Sequence, residues 1–398
     1  MGDNSTQEGA CGLGMLSNRG RGSFCMDSTM DITRRTLLAA SSAALVGSPL
    51  LAHNELLAQE KQEEAQAKET QAKEDQSSAF AEFTPASEKA VKKGDEWLLK
   101  TMSSNGGCGV DIGQQADIGC TSMVGLSMMA QGNTPIEGHR SQQIRKIVNY
   151  LLSRVENMPN DDITSEQGTQ LQNKIGRHAH SFFAALFLAE VLGEGYDPEP
   201  VRQALRKVVT AIVGSQTQEG HWGNQSWAPT LGTVMGWVAL RSSHYAGIKV
   251  GNSPETTANH LMQQMGTTLA QESGSWMHTL YKNATGIRVL YAMGKENEPV
   301  AKKAFQDVLG LVKRDNTAFS QAGGEEFLAF HLITETMLQK GGEDWKTWFT
   351  TVRDKLVSVQ NADGSWTGHH CITSRTFCTA AAILVLTSPN RYLPISQA

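Results

Sequence analysis

Six apolar runs rich in small residues, each following or expected to follow a stretch with one wet face, leave this chain very few ways to fold. The runs are IGCTSMVGLSMMAQG (118–132), HSFFAALFLAEVLG (180–193), TLGTVMGWVALRSSHYAG (230–247), HTLYKNATGIRVLYAMG (278–294), EEFLAFHLITETMLQKGG (325–342) and SRTFCTAAAILVLT (374–387). All but the last end on glycine, the residue that best tolerates the left-handed conformation closing a helix. Those glycines lie about 50 to 60 residues apart, room for two helices and two loops. Alanine, glycine and serine within the runs suit helices pressed against neighbours on every side. Segments 88–102, 140–156, 198–215 and 344–360 place apolar residues at steps of three and four with Lys, Arg and Glu between, the pattern of a helix with one solvated face. No persistent alternation argues for a sheet. Six wet-faced helices, each followed by a buried one, predict an all-α fold of six helical hairpins, an inner barrel of six helices inside an outer barrel of six.

A short turn recurs at the junctions within pairs. It reads QNADGSW in the last pair (Gln360, Gly364, Trp366), QTQEGHW in the third (Gln216, Gly220, Trp222) and, one residue shorter, AQESGSW in the fourth (Gln271, Gly274, Trp276). The first pair has SSNGGCG, with Cys108 where the tryptophan should stand. The glutamine is expected to bond loose carbonyls at a helix end, the glycine to permit the reversal, and the indole to stack on a neighbouring repeat. This makes the motif a clasp between repeats.

These glutamine–tryptophan turns and six helical pairs resemble the α/α-toroid superfamily of squalene-hopene cyclases, terpenoid cyclases and protein prenyltransferase β-subunits. The stretches LGTVMGWVALRSSHYAGI (231–248), GGEDWKTWF (341–349) and RYLPISQA (391–398) are similar to those of exported bacterial proteins with prenyltransferase/squalene oxidase repeats. The resemblance covers nearly all of the chain after Phe83. It implies an α6/α6 double-ring toroid over 83–398.

Two further segments precede that domain. Arg34 and Arg35 stand before the apolar run AASSAALVGSPLLA (39–52), the arrangement of a twin-arginine export signal, so 1–58 reads as a leader and the mature chain is expected in the periplasm or cell envelope. A start at Met26 or Met30 would give that signal a more ordinary length. Residues 59–82 form a charged, low-complexity linker too poor in apolar groups to offset its ordering entropy. No later segment offers about 18 uninterrupted apolar residues, so no membrane span is expected in the mature form. A net charge of -5, without a basic stripe, argues against nucleic acid as a partner.

The resemblance raises the question of chemistry. Triterpene cyclases use an acid in an Asp-x-Asp-Asp motif, absent here; the only adjacent aspartates, Asp161 and Asp162, sit in the loop MPNDDITSEQG and read as exposed. An aromatic content of 7% is thin for a pocket that stabilises carbocations. Complement-type thioester domains carry Gly-Cys-Gly-Glu-Gln; Gly107-Cys108-Gly109 matches only its opening, and Val110 and Asp111 exclude the thioester. Protein prenyltransferases hold zinc with Asp, Cys and His. No such spacing is recognisable here, but closure of the toroid would bring the first and last pairs together, and with them Cys108, Cys120, His369, His370 and Cys371. Free buried thiols, a disulfide across the seam and a Cys/His zinc site remain open; no cofactor is expected other than zinc in the third case.

The remaining candidates lie where inner-helix N-termini would converge with unpaired N–H groups. His178, His180, Trp227, Tyr281 and Arg375 are the candidate ligand-binding residues there, and His180, His278, Glu325 and Glu326 the candidate acid/base residues. Adjacent glutamates at a helix start also answer simply to the helix dipole. The expected function is a non-catalytic scaffold holding an apolar isoprenoid or lipid, or an envelope protein, in a central cavity. The alternative is an envelope enzyme, a prenyltransferase-like transferase or a lyase or hydrolase, acting at the polar mouth.

Overall fold

The computed structural model describes residues 82–393, apart from 159–161, 164–167, 195, 197, 269–279, 281–284 and 315–316. They all fall in one compact unit, Gln76–Ala398. The export signal, the charged linker up to Ala81, Asp161, Trp276, His278 and Tyr281 lie outside the described residues.

The described residues are helical, without a strand; two isolated bridges join Met102 to Cys108 and Gly109 to Ala116. In chain order the helices are α1 (Pro85–Leu98), α2 (Ile118–Met129), α3 (Ser141–Glu156), α4 (Gln170–Ile175), α5 (Ala179–Gly193), α6 (Glu199–Gly214), α7 (Pro229–Tyr245), α8 (Ser253–Thr268), α9 (Thr285–Ala292), α10 (Pro299–Arg314), α11 (Thr317–Ser320), α12 (Gly324–Lys340), α13 (Gly342–Ser358) and α14 (Arg375–Thr387). Local signals fix their starts. Thr84 caps α1 in a reciprocal pair with Ser87, and Pro85 follows at the position where its missing N–H costs nothing. Asp117 caps α2 and Ser374 caps α14.

Two kinds of helix alternate. In α3 only the stripe Ile144, Ile147, Val148, Leu151 and Val155 is buried, and α6 buries Val201, Ala204, Leu205, Val208, Val209 and Ile212. By contrast every residue of α2 is buried, and in α14 all but Arg375. Such close contact needs small residues: a Cβ on Gly125 of α2 would stand 2.3 Å from the Phe187 ring of α5. Among the buried helices α2 packs on α5, α5 on α7, α7 on α9, α9 on α12, α12 on α14, and α14 on α2 again. Of the water-facing helices, α3 packs on α6, α8 on α10, α10 on α13, and α13 on α1.

The recurring turn is a clasp, with one difference from expectation. Gln360 does not close the end of its own helix but donates from Nε2 to the Ala90 carbonyl of α1, 2.8 Å away, and to Gly364 O at 2.9 Å. Gln216 likewise reaches α8, donating to Thr257 Oγ1 at 2.7 Å and accepting from Ser253 Oγ at 2.6 Å. Each glutamine therefore joins one water-facing helix to another. The tryptophans bond backward, Trp366 Nε1 to Leu356 O and Trp222 Nε1 to Ile212 O, both 2.8 Å. Gly220 and Gly364 both take φ +98°, and a Cβ on either would meet a backbone oxygen at 2.5 or 2.6 Å. Cys108 fills the tryptophan's place in backbone terms: its N–H donates to Thr121 Oγ1, thirteen residues on, as Trp366 N–H donates to Thr379 Oγ1. Asp162, expected to be exposed, is buried beside Arg177 at 3.7 Å.

Candidate functional site

The heads of α2, α5, α12 and α14 carry two polar clusters. At the first, Asp117 Oδ1 accepts the Cys120 N–H at 2.7 Å and Oδ2 lies 3.0 Å from His180 Nε2 in the first turn of α5. Burial alone would raise the Asp117 carboxyl, but the His180 ring and the Cys120 N–H outweigh it and hold the group below the ordinary carboxylate range. Ser374 Oγ donates to Val110 O at 2.9 Å and lies 3.3 Å from Cys120 Sγ. These contacts tie together the heads of α2, α5 and α14, so His180 is a structural partner of a helix cap.

The second cluster gathers more reactive groups. Glu325 and Glu326 open α12, and both are 0 % exposed. Glu326 Oε2 accepts the Gly323 N–H at 2.6 Å, a capping bond at the head of α12. Lys174, from the one-and-a-half-turn helix α4, places Nζ 3.0 Å from Glu325 Oε1 and 3.4 Å from Cys371 Sγ. The Ile372 N–H donates to Glu325 Oε2 at 3.3 Å. His370 sits between the carboxylates, Nδ1 3.2 Å from Glu325 Oε1 and Nε2 3.4 Å from Glu326 Oε2. It is 31 % exposed, and Cys371 beside it is exposed as well, so these two form the solvent face of a buried charge cluster. Burial, reinforced by the Glu325 charge, raises the Glu326 carboxyl to about 8, and Glu326 Oε1 has no hydrogen-bond partner. Burial and Glu325 also raise the Cys371 thiol, against the pull of Lys174. Cys371 takes φ +47°, a conformation that costs a non-glycine residue about 1 kcal/mol or more.

One donor atom each from Glu325, His370 and Cys371 lie within 4.8 Å of one another. Carboxylate, imidazole and thiolate are all zinc ligands, and a tetrahedral site would need them drawn together by about 1 Å. The surroundings suit ligation. Glu325 turns Oε1 to Lys174 while Oε2 takes a backbone N–H, and His370 offers Nδ1 while Nε2, without a hydrogen-bond partner, lies 3.4 Å from Glu326 Oε2. Lys174 already puts a positive charge where a cation would sit. The donor set therefore fits a metal ion, with the ammonium as its competitor.

No family model matches the chain, and no curated protein does.

The other predicted residues are distributed around these clusters. Cys108 is buried and its thiol pushed up to about 12 by burial, while Cys120 is pushed well above the ordinary range by burial and Asp117. Cys108, Cys120, Cys371 and Cys378 are all free, so of the three readings of the seam no disulfide forms among them, and neither Cys108 nor Cys120 joins the metal-type group. His369 is exposed, its N–H donating to Ala322 O at 3.0 Å. Arg375 is occupied by Asp363, Ser365 Oγ and, at 3.5 Å, Asp111, with its guanidinium over the Trp97 ring. His178 and Trp227 line a cleft of about 460 Å³, while Tyr281 and His278 lie outside the described residues. Lys174 and Asp117 were missed by sequence reasoning. Asp117 had a signal, an aspartate directly before an apolar run; Lys174, in the loop stretch NKIGRHAH, had none.

At mid-height the buried helices enclose a void of about 20 Å³, lined by Met123, Leu186, Met235, Arg288, His331 and Glu335 among others. That is room for one water.

Proposed function

We propose that this chain is an exported α/α-toroid enzyme whose working site is the polar mouth, with zinc held by Glu325, His370 and Cys371. The observation that carries the reading is that one donor atom from each of those three residues lies within 4.8 Å of the others, with a backbone N–H on Glu325 and an exposed side facing solvent. The cyclic packing order of α2, α5, α7, α9, α12 and α14 supports the double ring, and with it the kinship to the terpenoid cyclase and prenyltransferase superfamily. No helix of the described residues is long and apolar enough to cross a membrane, which accords with release into the envelope.

Glu325, His370 and Cys371 would hold the ion, which would supply a Lewis acid able to polarise a water or thiol near neutral pH. The chain's own groups divide the remaining work. Glu326, buried beside Glu325 with Oε1 unpartnered, is the carboxyl placed to exchange a proton with a bound group. His370 lies between the two carboxylates, and Lys174 holds the Glu325 position with its ammonium until a metal ion displaces it. Hydrolysis or transfer on a polar substrate arriving from solvent fits this arrangement, since the cluster opens to solvent through His370 and Cys371.

Metal analysis of protein purified without chelators tests the reading. One zinc per chain is expected in the wild type, lost in Glu325→Gln and Cys371→Ser and bound more tightly in Lys174→Ala, where the competing ammonium is gone. Absence of zinc from the wild type and from Lys174→Ala after zinc loading would end it.

A further inference from the structure

Gln172 and Asn173 of α4, the Gly176–His178 segment that follows it, and residues 222–227 line the 460 Å³ cleft. Trp227 stands there with 79 % of its surface exposed, the most exposed of the large apolar side chains among the described residues. It is displayed, not loose. Its N–H donates to Asn173 O at 3.2 Å, the next N–H to Lys174 O at 2.8 Å, and Ser226 Oγ to Ile175 O at 3.3 Å, so three bonds pin this loop to α4. Trp222 beside it is buried and its indole N–H spent on Ile212 O, which leaves Trp227 as the cleft's free aromatic face. Asn224 and Gln225, both exposed, line the same cleft. Burial lowers the His178 pKa, so the imidazole is neutral at pH 7 and Arg177 is the one cation in the lining.

A flat indole held in solvent, in a cleft also lined by planar amides that both donate and accept, suits a ligand with an apolar face and a rim of hydroxyls. We propose that this cleft is a saccharide-binding site, taking the end of an oligosaccharide with one sugar ring stacked on Trp227 and its hydroxyls bonded by Asn224 and Gln225. A purely apolar ligand would leave those amides unpaired, and a polyanion would find a single arginine.

The site is separate from the proposed metal centre and stands or falls without it. The test is intrinsic tryptophan fluorescence and saturation-transfer NMR of the full chain with three soluble trisaccharides: chitotriose, cellotriose and trigalacturonate. Saturable binding of at least one, in the millimolar range or tighter, is expected. Trp227→Ala should weaken it about tenfold or more with an unchanged melting temperature, because the side chain packs on little. Glu325→Gln should leave it intact, which separates this result from any failure of the metal reading. Absence of binding by all three, or binding undiminished in Trp227→Ala, overturns the proposal. So does a fall in sedimenting mass on Trp227→Ala, which would show that a second copy of the chain covers the indole.

Discussion

Removing the imidazole of His180 would leave the Asp117 carboxylate, buried at the head of α2, with the Cys120 N–H and no ring nitrogen. Losing a buried hydrogen bond to a charged group costs about 2 to 3 kcal/mol, so His180→Ala should lower stability in urea melts at pH 7 whether or not the protein turns anything over. The pH dependence gives the sign. Asp117 is held below its ordinary value, so its contribution is fully present above the unfolded value, about 3.9, and is lost as pH falls through the lower folded one. The gap between wild type and His180→Ala should therefore narrow in melts near pH 3, and a gap that stays constant would assign the loss to packing. At the second cluster, Glu326→Gln keeps the shape of a protonated carboxyl and should cost little stability at pH 7, while any activity that needs its proton should fall steeply.

Among the elements, the clasp turns invite the plainest measurements. Gln360→Ala deletes bonds to Ala90 O and Gly364 O and should cost about 1 to 3 kcal/mol. Gly364→Ala places a methyl 2.6 Å from Lys93 O at φ +98° and should cost at least about 2 kcal/mol. Because both act on one seam between α13 and α1, thermal melts of the double variant should show less than the sum. Most helices were legible from pattern alone. The run 180–193 became Ala179–Gly193, and 374–387 became Arg375–Thr387, because all-round burial writes an apolar, small-residue code that nothing else produces. The metal-type group was legible only in pieces. Its members come from positions 325, 370 and 371, and their cationic neighbour from 174, which no local periodicity links, and α4 is too short to leave one. The glutamine of the clasp was seen, but its target on another helix depends on which helices become neighbours.

For the whole molecule, the return of the packing order from α14 to α2 means that neither terminal repeat has a bare flank. Open helical repeat stacks fray from their ends; this chain should not. Hydrogen exchange should find α2 and α14 as protected as α7, and unfolding should be a single transition over the described domain. Faster exchange in α14 alone would mean that the seam opens separately. A chain stopped before Ser374 should fail to fold, since it strips one flank from both α2 and α12.

That seam also imposes an order in time. α2 is complete once residue 129 has been made, but the partner for its second flank arrives only with Arg375–Thr387. For most of synthesis the nascent chain carries an apolar helix with one side unmatched, a surface inviting the wrong neighbour. Joining these distant stretches is also the contact that loop-closure entropy penalises most. A circular permutant opened in the loop between α2 and α3, with the native ends linked, would leave only α1 as a helix between α14 and α2 in translation, and its refolding should outpace that of the natural order.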